Sequence, residues 1–192
     1  MTKSVDYYLT PTSPWSYLGH ARFAEIAQRH GAAVAVKPVD YGVIFPQSGG
    51  LPLGKRAPQR QAYRLAELAR WRDFLGVPLN LQPKFFPADP ISAACIVCAA
   101  PQDRQMAIAG DFLRAVWMQE RNIADIAVLT EIAARHGIAD APAAIVRGKP
   151  IFESHTQEAV ARQVFGAPTF VLGGELFWGQ DRLDFLDRAL AN

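Results

Sequence analysis

Two cysteines are all this chain of 192 residues contains, Cys95 and Cys98, and neither falls where its first helix begins. No second cysteine pair accompanies them. The four histidines, His20, His30, His136 and His155, are scattered without ligand spacing, which argues against a zinc site. A basic block is also missing: 20 Lys and Arg against 18 Asp and Glu leave a net charge of +2, so nothing points to nucleic acid. No run approaches the ~18 apolar residues of a membrane span, and Met1 to Asp6 carry no apolar signal-like stretch. The expectation is a soluble, cytoplasmic protein whose cysteines stay reduced. Repeats and low-complexity tracts are absent. What remains is half hydrophobic and one-fifth charged, enough for one globular domain with a full core, or one domain carrying an insertion.

Ser4 to Leu9 alternates Val5, Tyr7 and Leu9 with outward positions and reads as a strand. A turn at Thr10-Pro11-Thr12 leads to a helix opening at Ser13 and running to about His30, with Leu18, Phe23, Ile26 and Ala27 as its apolar stripe and Gly31 as its stop. Ala33 to Val39 alternates again, as a second strand parallel to the first. Residues 42–58 are rich in Gly and Pro and read as a long loop. From Gln59 to about Gln163 the period is helical: Tyr63 to Leu75, then Pro90 to Ala100 with Asp89 as N-cap, then Gln102 to Glu120 and Ala127 to His136. His155-Thr156 reads as a cap for the helix leading to Phe165. Strands return at Thr169 to Leu172 and Glu175 to Trp178 around a Gly173-Gly174 hairpin turn, and Asp181 to Ala191 closes the chain as a helix.

With the helical middle removed, the order is βαβ, helix, ββ hairpin, helix. That is an α/β, thioredoxin-like fold with an inserted all-helical domain: residues 1–41 and 164–192 form the thioredoxin-like part and 42–163 the insertion. In such folds the head of the first helix holds Cys-x-x-Cys. Here it reads Ser13-Pro14-Trp15-Ser16. A hydroxyl cannot cycle between thiol and disulfide, so the protein has no dithiol chemistry at this place. Cys95-Ile96-Val97-Cys98 matches the spacing formally, but it lies within a helix and reads as core packing. A second thioredoxin-like feature is Ala167-Pro168 directly before a strand, where a cis-proline exposes the N–H and C=O of the residue preceding it to an extended peptide.

Ser-Pro-Trp-Ser-Tyr-Leu-Gly at 13–19, Phe-Gly-Ala-Pro-Thr-Phe at 165–170 and Phe-Trp-Gly-Gln-Asp-Arg-Leu at 177–183 resemble the 2-hydroxychromene-2-carboxylate isomerase family, DsbA-like proteins related to the kappa-class glutathione transferases. Arg60-Gln61-Ala62-Tyr63 and Asn122-Ile123-Ala124-Asp125 extend the resemblance through the middle. It implies glutathione as cofactor, with Ser13 hydrogen-bonding its thiolate, a role suited to a helix N-terminus. It also implies that the Ala167 backbone pairs with the cysteinyl part, that Pro168 shapes that edge, and that Gln180 and Asp181 take the γ-glutamyl end. Arg60 falls where the family usually carries a lysine for the glycyl carboxylate, with Lys55 as a competing candidate.

Several of these residues also have a structural reading: Ser13 as an N-cap, Pro168 as ordinary punctuation before an edge strand, Asp181 with Asp184 as the capped acidic start of a helix, and Lys55, Arg56 and Arg60 as a solvated basic loop. Gly50-Leu51 departs from the family, where relatives often place an asparagine. Trp15 and Phe45 are the aromatic candidates for a substrate pocket, while Trp178 and Phe85-Phe86 read mostly as core. The activity implied is the glutathione-dependent interconversion of 2-hydroxychromene-2-carboxylate with trans-o-hydroxybenzylidenepyruvate in aromatic catabolism, by a homodimer acting on a small aromatic carboxylate. A kappa-like transferase acting on another electrophile and a redox-inactive peptide-binding module are the alternatives.

Overall fold

The computed structural model describes residues 2–192. Four strands, β1 (Ser4–Leu9), β2 (Ala33–Pro38), β3 (Thr169–Leu172) and β4 (Glu175–Trp178), form one sheet in the order β2-β1-β3-β4. β1 and β2 run parallel around α1 (Pro14–Arg29), while β3 is antiparallel to both β1 and β4. The β3–β4 turn places Gly173 and Gly174 at φ 58° and 93°, the left-handed pair that a two-residue hairpin requires. Six helices lie between β2 and β3: α2 (Tyr41–Ser48), α3 (Pro58–Leu75), α4 (Ile91–Ala99), α5 (Gln102–Trp117), α6 (Ile126–Arg135) and α7 (Ala141–Ala161). α8 (Leu183–Ala191) ends the chain. No helix among the described residues is long and apolar enough to cross a membrane.

The sheet is covered on both faces. Tyr7 stacks on Phe170 at 5.1 Å, Phe23 of α1 closes on Phe170 at 4.5 Å, and the same apolar cluster continues into Ile96, Phe112 and Trp117 of the helical middle. Each such side chain, fully buried, favours folding by about 1.5–3 kcal/mol. On the other face Tyr8 joins Val171, Val39 and Ile44, so the position read as outward-facing is buried too. Its hydroxyl leaves the apolar cluster by donating to Glu158 at 3.0 Å.

Several boundaries differ from the sequence reading. The Gly/Pro-rich segment 42–58 is largely helical. Asp40 caps α2 by accepting the Gly42 N–H at 2.7 Å, Tyr41 and Ile44 anchor it in the second apolar cluster, and Gly49 ends it in the left-handed region. A 3-10 turn at Leu53–Lys55 follows, and α3 starts at Pro58, one turn earlier than Tyr63. Pro90, not Asp89, holds the N-cap position of α4, although Asp89 still accepts the Ile91 N–H at 2.9 Å. His155 and Thr156 cap nothing: both lie inside α7, where Thr156 donates to the Phe152 carbonyl and accepts the Asp40 N–H, tying α7 to the start of α2. α8 begins at Leu183 after a 3-10 turn, Gln180–Arg182, so Asp181 is not its cap.

α4 and α7 cross so closely that a Cβ on Gly148 would lie 1.8 Å from the Cys95 carbonyl oxygen. This crossing buries Cys95 and Cys98 with Phe152, and Cys98 Sγ rests 3.7 Å from His155 Nδ1. Burial pushes the Cys98 thiol up to about 12, so it is protonated at any physiological pH.

Candidate functional site

Ser13 is the N-cap of α1: its backbone is extended, and its Oγ accepts the Ser16 N–H at 3.1 Å. The first intrahelical bond runs from Tyr17 N–H to the Ser13 carbonyl at 3.0 Å. Pro14 at N1 has no N–H. Among the described residues this leaves one unused amide in the first turn, that of Trp15, beside a Ser13 hydroxyl that accepts but does not donate. The capping and anion-binding readings of Ser13 therefore use different lone pairs and protons of the same residue. Ser16 Oγ, one turn in, is buried and has no hydrogen-bond partner among the described residues.

Beneath this helix end, Tyr7 Oη meets His20 Nδ1 at 3.3 Å and His20 Nε2 meets the Met106 carbonyl at 3.0 Å. A carbonyl can only accept, so Nε2 carries the proton and Nδ1 accepts from the tyrosine. Burial holds His20 down to about 4, keeping it neutral, and pushes the Tyr7 phenol up. This chain of uncharged groups underlies α1 without adding charge to the site.

The Ala167–Pro168 peptide is cis. Gly166, just before it, has its carbonyl taken by Tyr41 Oη at 2.8 Å and Thr169 Oγ1 at 2.6 Å, and Pro168 accepts from Gly179 N–H at 2.8 Å. Among the described residues neither the N–H nor the C=O of Ala167 enters a hydrogen bond. Ala167 is therefore a one-residue strand edge between satisfied neighbours, able to pair with an extended backbone. Gly166 is held against Trp178, whose Nε1 a Cβ there would meet at 2.2 Å.

A cavity of about 690 Å³ opens between these elements and α3. One wall is Trp15, Ala167 and the stretch from Trp178 to Arg182. The other is a stripe of α3 at helical spacing, residues 60, 63, 64, 67 and 71, with Arg56 and Gln59 at its head. Of the residues singled out in the sequence, Trp15, Arg60, Ala167, Gln180 and Asp181 share this cavity. Ser13 is only 7% exposed and is not part of the lining, although its neighbour Trp15 is. Pro168 is buried behind Ala167. Lys55 is exposed in the 3-10 turn and lies outside the lining, as does Phe45, which packs on Tyr41 and fills the space beside Gly50.

Gln180 is buried, and its amide oxygen already accepts from Arg22 at 3.0 Å, leaving its NH2 group to donate. Asp181 is exposed and paired with Arg182 at 2.7 Å. Sequence reasoning passed over Arg64, Tyr63 and Trp71, and it took the half-exposed Trp178 for core. The 60/64 and 63/67/71 spacings were visible, but on a polar helix they also describe a solvated face.

The chain matches the model of the DSBA-like thioredoxin domain over residues 4–191. It is 31% identical to 2-hydroxychromene-2-carboxylate isomerase of Sphingobium xenophagum over 99% of both chains, and 28% identical to that of Pseudomonas putida over 97% of this chain and 93% of the other. A solved 2-hydroxychromene-2-carboxylate isomerase superposes with a TM-score of 0.83 at 25% identity, covering 98% of this chain and 94% of the other. The cytosolic disulfide reductase DsbM of Pseudomonas aeruginosa, solved with GSH, shares the fold at a TM-score of 0.69 and 20% identity, over 98% of this chain and all of that one. From the first strand to the last helix, the chain belongs to the DSBA-like thioredoxin family and, within it, to the 2-hydroxychromene-2-carboxylate isomerase family.

Proposed function

We propose that this protein is a glutathione-dependent isomerase interconverting 2-hydroxychromene-2-carboxylate and trans-o-hydroxybenzylidenepyruvate. The observation that carries the reading is the pair of unused donors at the head of α1, Ser13 O–H and Trp15 N–H, in a family where relatives bear this activity in their names. The chemistry supplied by bound glutathione is reversible thiolate addition, which frees rotation about the double bond of the opened substrate.

This chain's residues fit that tripeptide along its length. Ser13 and the Trp15 amide hold the sulfur as an anion, and each lowered pKa unit corresponds to ~1.4 kcal/mol of preferential thiolate binding. The free N–H and C=O of Ala167 pair with the cysteinyl backbone. Asp181 takes the ammonium group by exchanging its exposed pairing with Arg182, and the Gln180 NH2 group and the amides of its turn take the neighbouring carboxylate. Arg60, at the cavity wall, takes the glycyl carboxylate with its planar fork. The aromatic faces of Trp15, Tyr63, Trp71 and Trp178 exclude water from the electrophile. That a protein sharing this fold has been solved with GSH supports glutathione as the ligand class.

A direct assay of the chromene isomerisation with and without glutathione tests the proposal. Turnover that requires glutathione is the expected result. Calorimetry showing no glutathione binding at millimolar concentration overturns it.

A further inference from the structure

Three guanidinium groups on the α3 side of the cavity, those of Arg56, Arg60 and Arg64, have no carboxylate partner among the described residues. The two acidic residues of the lining are engaged elsewhere: Glu67 with Arg70, which is outside the lining, and Asp181 with Arg182. Arg56 spends its Nε–H on the Leu51 carbonyl at 2.8 Å. The wall therefore carries an excess of positive charge, and glutathione's glycyl carboxylate matches only one of the three.

Arg64 differs from the other two in how it is held. Its guanidinium lies over the rings of Phe86, at 5.4 Å, and Trp117, at 5.8 Å, and the side chain is half-buried while Arg60 is exposed. Contact with two rings restrains the guanidinium without consuming its N–H donors. Burial and the nearby charge of Arg56 lower its pKa to about 10, so it remains cationic at neutral pH. A fixed, unpaired, partly desolvated cation is costly to keep unless an anion visits it. Tyr63 and Trp71, on the same face of α3, offer flat apolar surface beside it.

We propose that Arg64 is the carboxylate-binding residue for the substrate, and that it selects planar aromatic carboxylates over neutral electrophiles of the same shape. The inference rests on the isomerase reading above for the identity of the site and deepens it by naming the residue that recognises the acid. Arg60 and Arg64, one helical turn apart, then divide the work: Arg60 holds the carboxylate of the cofactor and Arg64 that of the substrate.

The probes are coumarin-3-carboxylate, a stable bicyclic acid, and its carboxamide, titrated into the whole protein by tryptophan fluorescence and calorimetry. The wild type is expected to bind the acid about tenfold more tightly than the amide, the difference one charge-assisted pair supplies. Arg64→Gln is expected to lose that tenfold for the acid alone, leaving amide and glutathione affinities within about twofold. Arg64→Lys keeps the charge and is expected to retain most of the discrimination, which also guards against a misfolded Gln variant.

A wild type that binds acid and amide equally overturns the proposal. So does an Arg64→Gln variant that still prefers the acid. Discrimination by Arg64 in a protein that binds no glutathione supports the subsite while removing the glutathione-dependent activity, so the two readings fail separately.

Discussion

Ser13 and Ser16 stand one turn apart at the head of α1, and their hydrogen bond uses the Ser13 oxygen as acceptor only. The cap and the free hydroxyl proton are thus separable by substitution. Ser13→Ala removes both: thermal unfolding should show a loss of about 1 kcal/mol from the cap. The pKa of bound glutathione, followed by thiolate absorbance, should rise by about one unit. Ser13→Asp keeps a capping oxygen but has no proton to donate and sets a negative charge beside the sulfur, so its stability should match the wild type more closely while the thiol titration still shifts upward. An unshifted titration in both variants removes Ser13 from the sulfur site.

Acid should weaken the fold through His20. The unfolded chain takes up this proton near the ordinary value of 6.5, whereas the folded protein resists it down to about 4. The unfolded state therefore binds more protons in that window, and stability present above pH 6.5 is lost as pH falls toward 4. Between pH 7 and pH 5 the loss from this one group is about 2 kcal/mol. Denaturant melts across that range measure it, and His20→Gln should flatten the dependence.

Gly148→Ala should be among the most disruptive single-methyl changes in the chain. The obstacle is the Cys95 backbone carbonyl, 1.8 Å from the new Cβ, which no rotamer change can relieve. A loss of about 3 kcal/mol, read from denaturant midpoints, is the expected cost of prising α4 from α7. Gly166→Ala meets the Trp178 indole instead, at 2.2 Å, and a side chain can move. Its main effect should appear in ligand affinity, because Trp178 lines the cavity.

Native protein at pH 8 should resist iodoacetamide. Both cysteines are buried, and the Cys98 thiol is held up to about 12 by that burial. Mass spectrometry should find two labelled sites only after unfolding, and Cys98→Ala should leave isomerase activity intact. Labelling in the native state at a rate typical of an exposed thiol contradicts this burial.

The sheet and α1 were legible because their signals are local. Val5, Tyr7 and Leu9 alternate, Ser13 and Pro14 mark a helix start, and Gly173-Gly174 permits only a tight hairpin. α2 was hidden because Gly42 and Pro46 lower its intrinsic helicity, and what stabilises it is tertiary: Tyr41 and Ile44 docked beside Tyr8. The cap at Asp40 and the left-handed Gly49 were the available clues. The 165–182 half of the site could be read from motifs. Of the α3 half only Arg60 could, because an arginine facing a cavity and one facing water look alike until the opposite wall is in place.

That wall has a further property. Of the eighteen residues of α3, only Leu68 is buried in the core. Beyond Leu68 and the partly buried Trp71 and Leu75 that pack against the core, the cavity face of α3 contributes little to folding, while the donors at Ser13 and Trp15 belong to α1, whose Leu18, Phe23 and Ile26 are buried. Substitutions at its exposed cavity positions, Arg60 and Tyr63, should change which ligand is accepted at little thermodynamic cost to the scaffold. New substrate ranges in this architecture should arise first on that one helix.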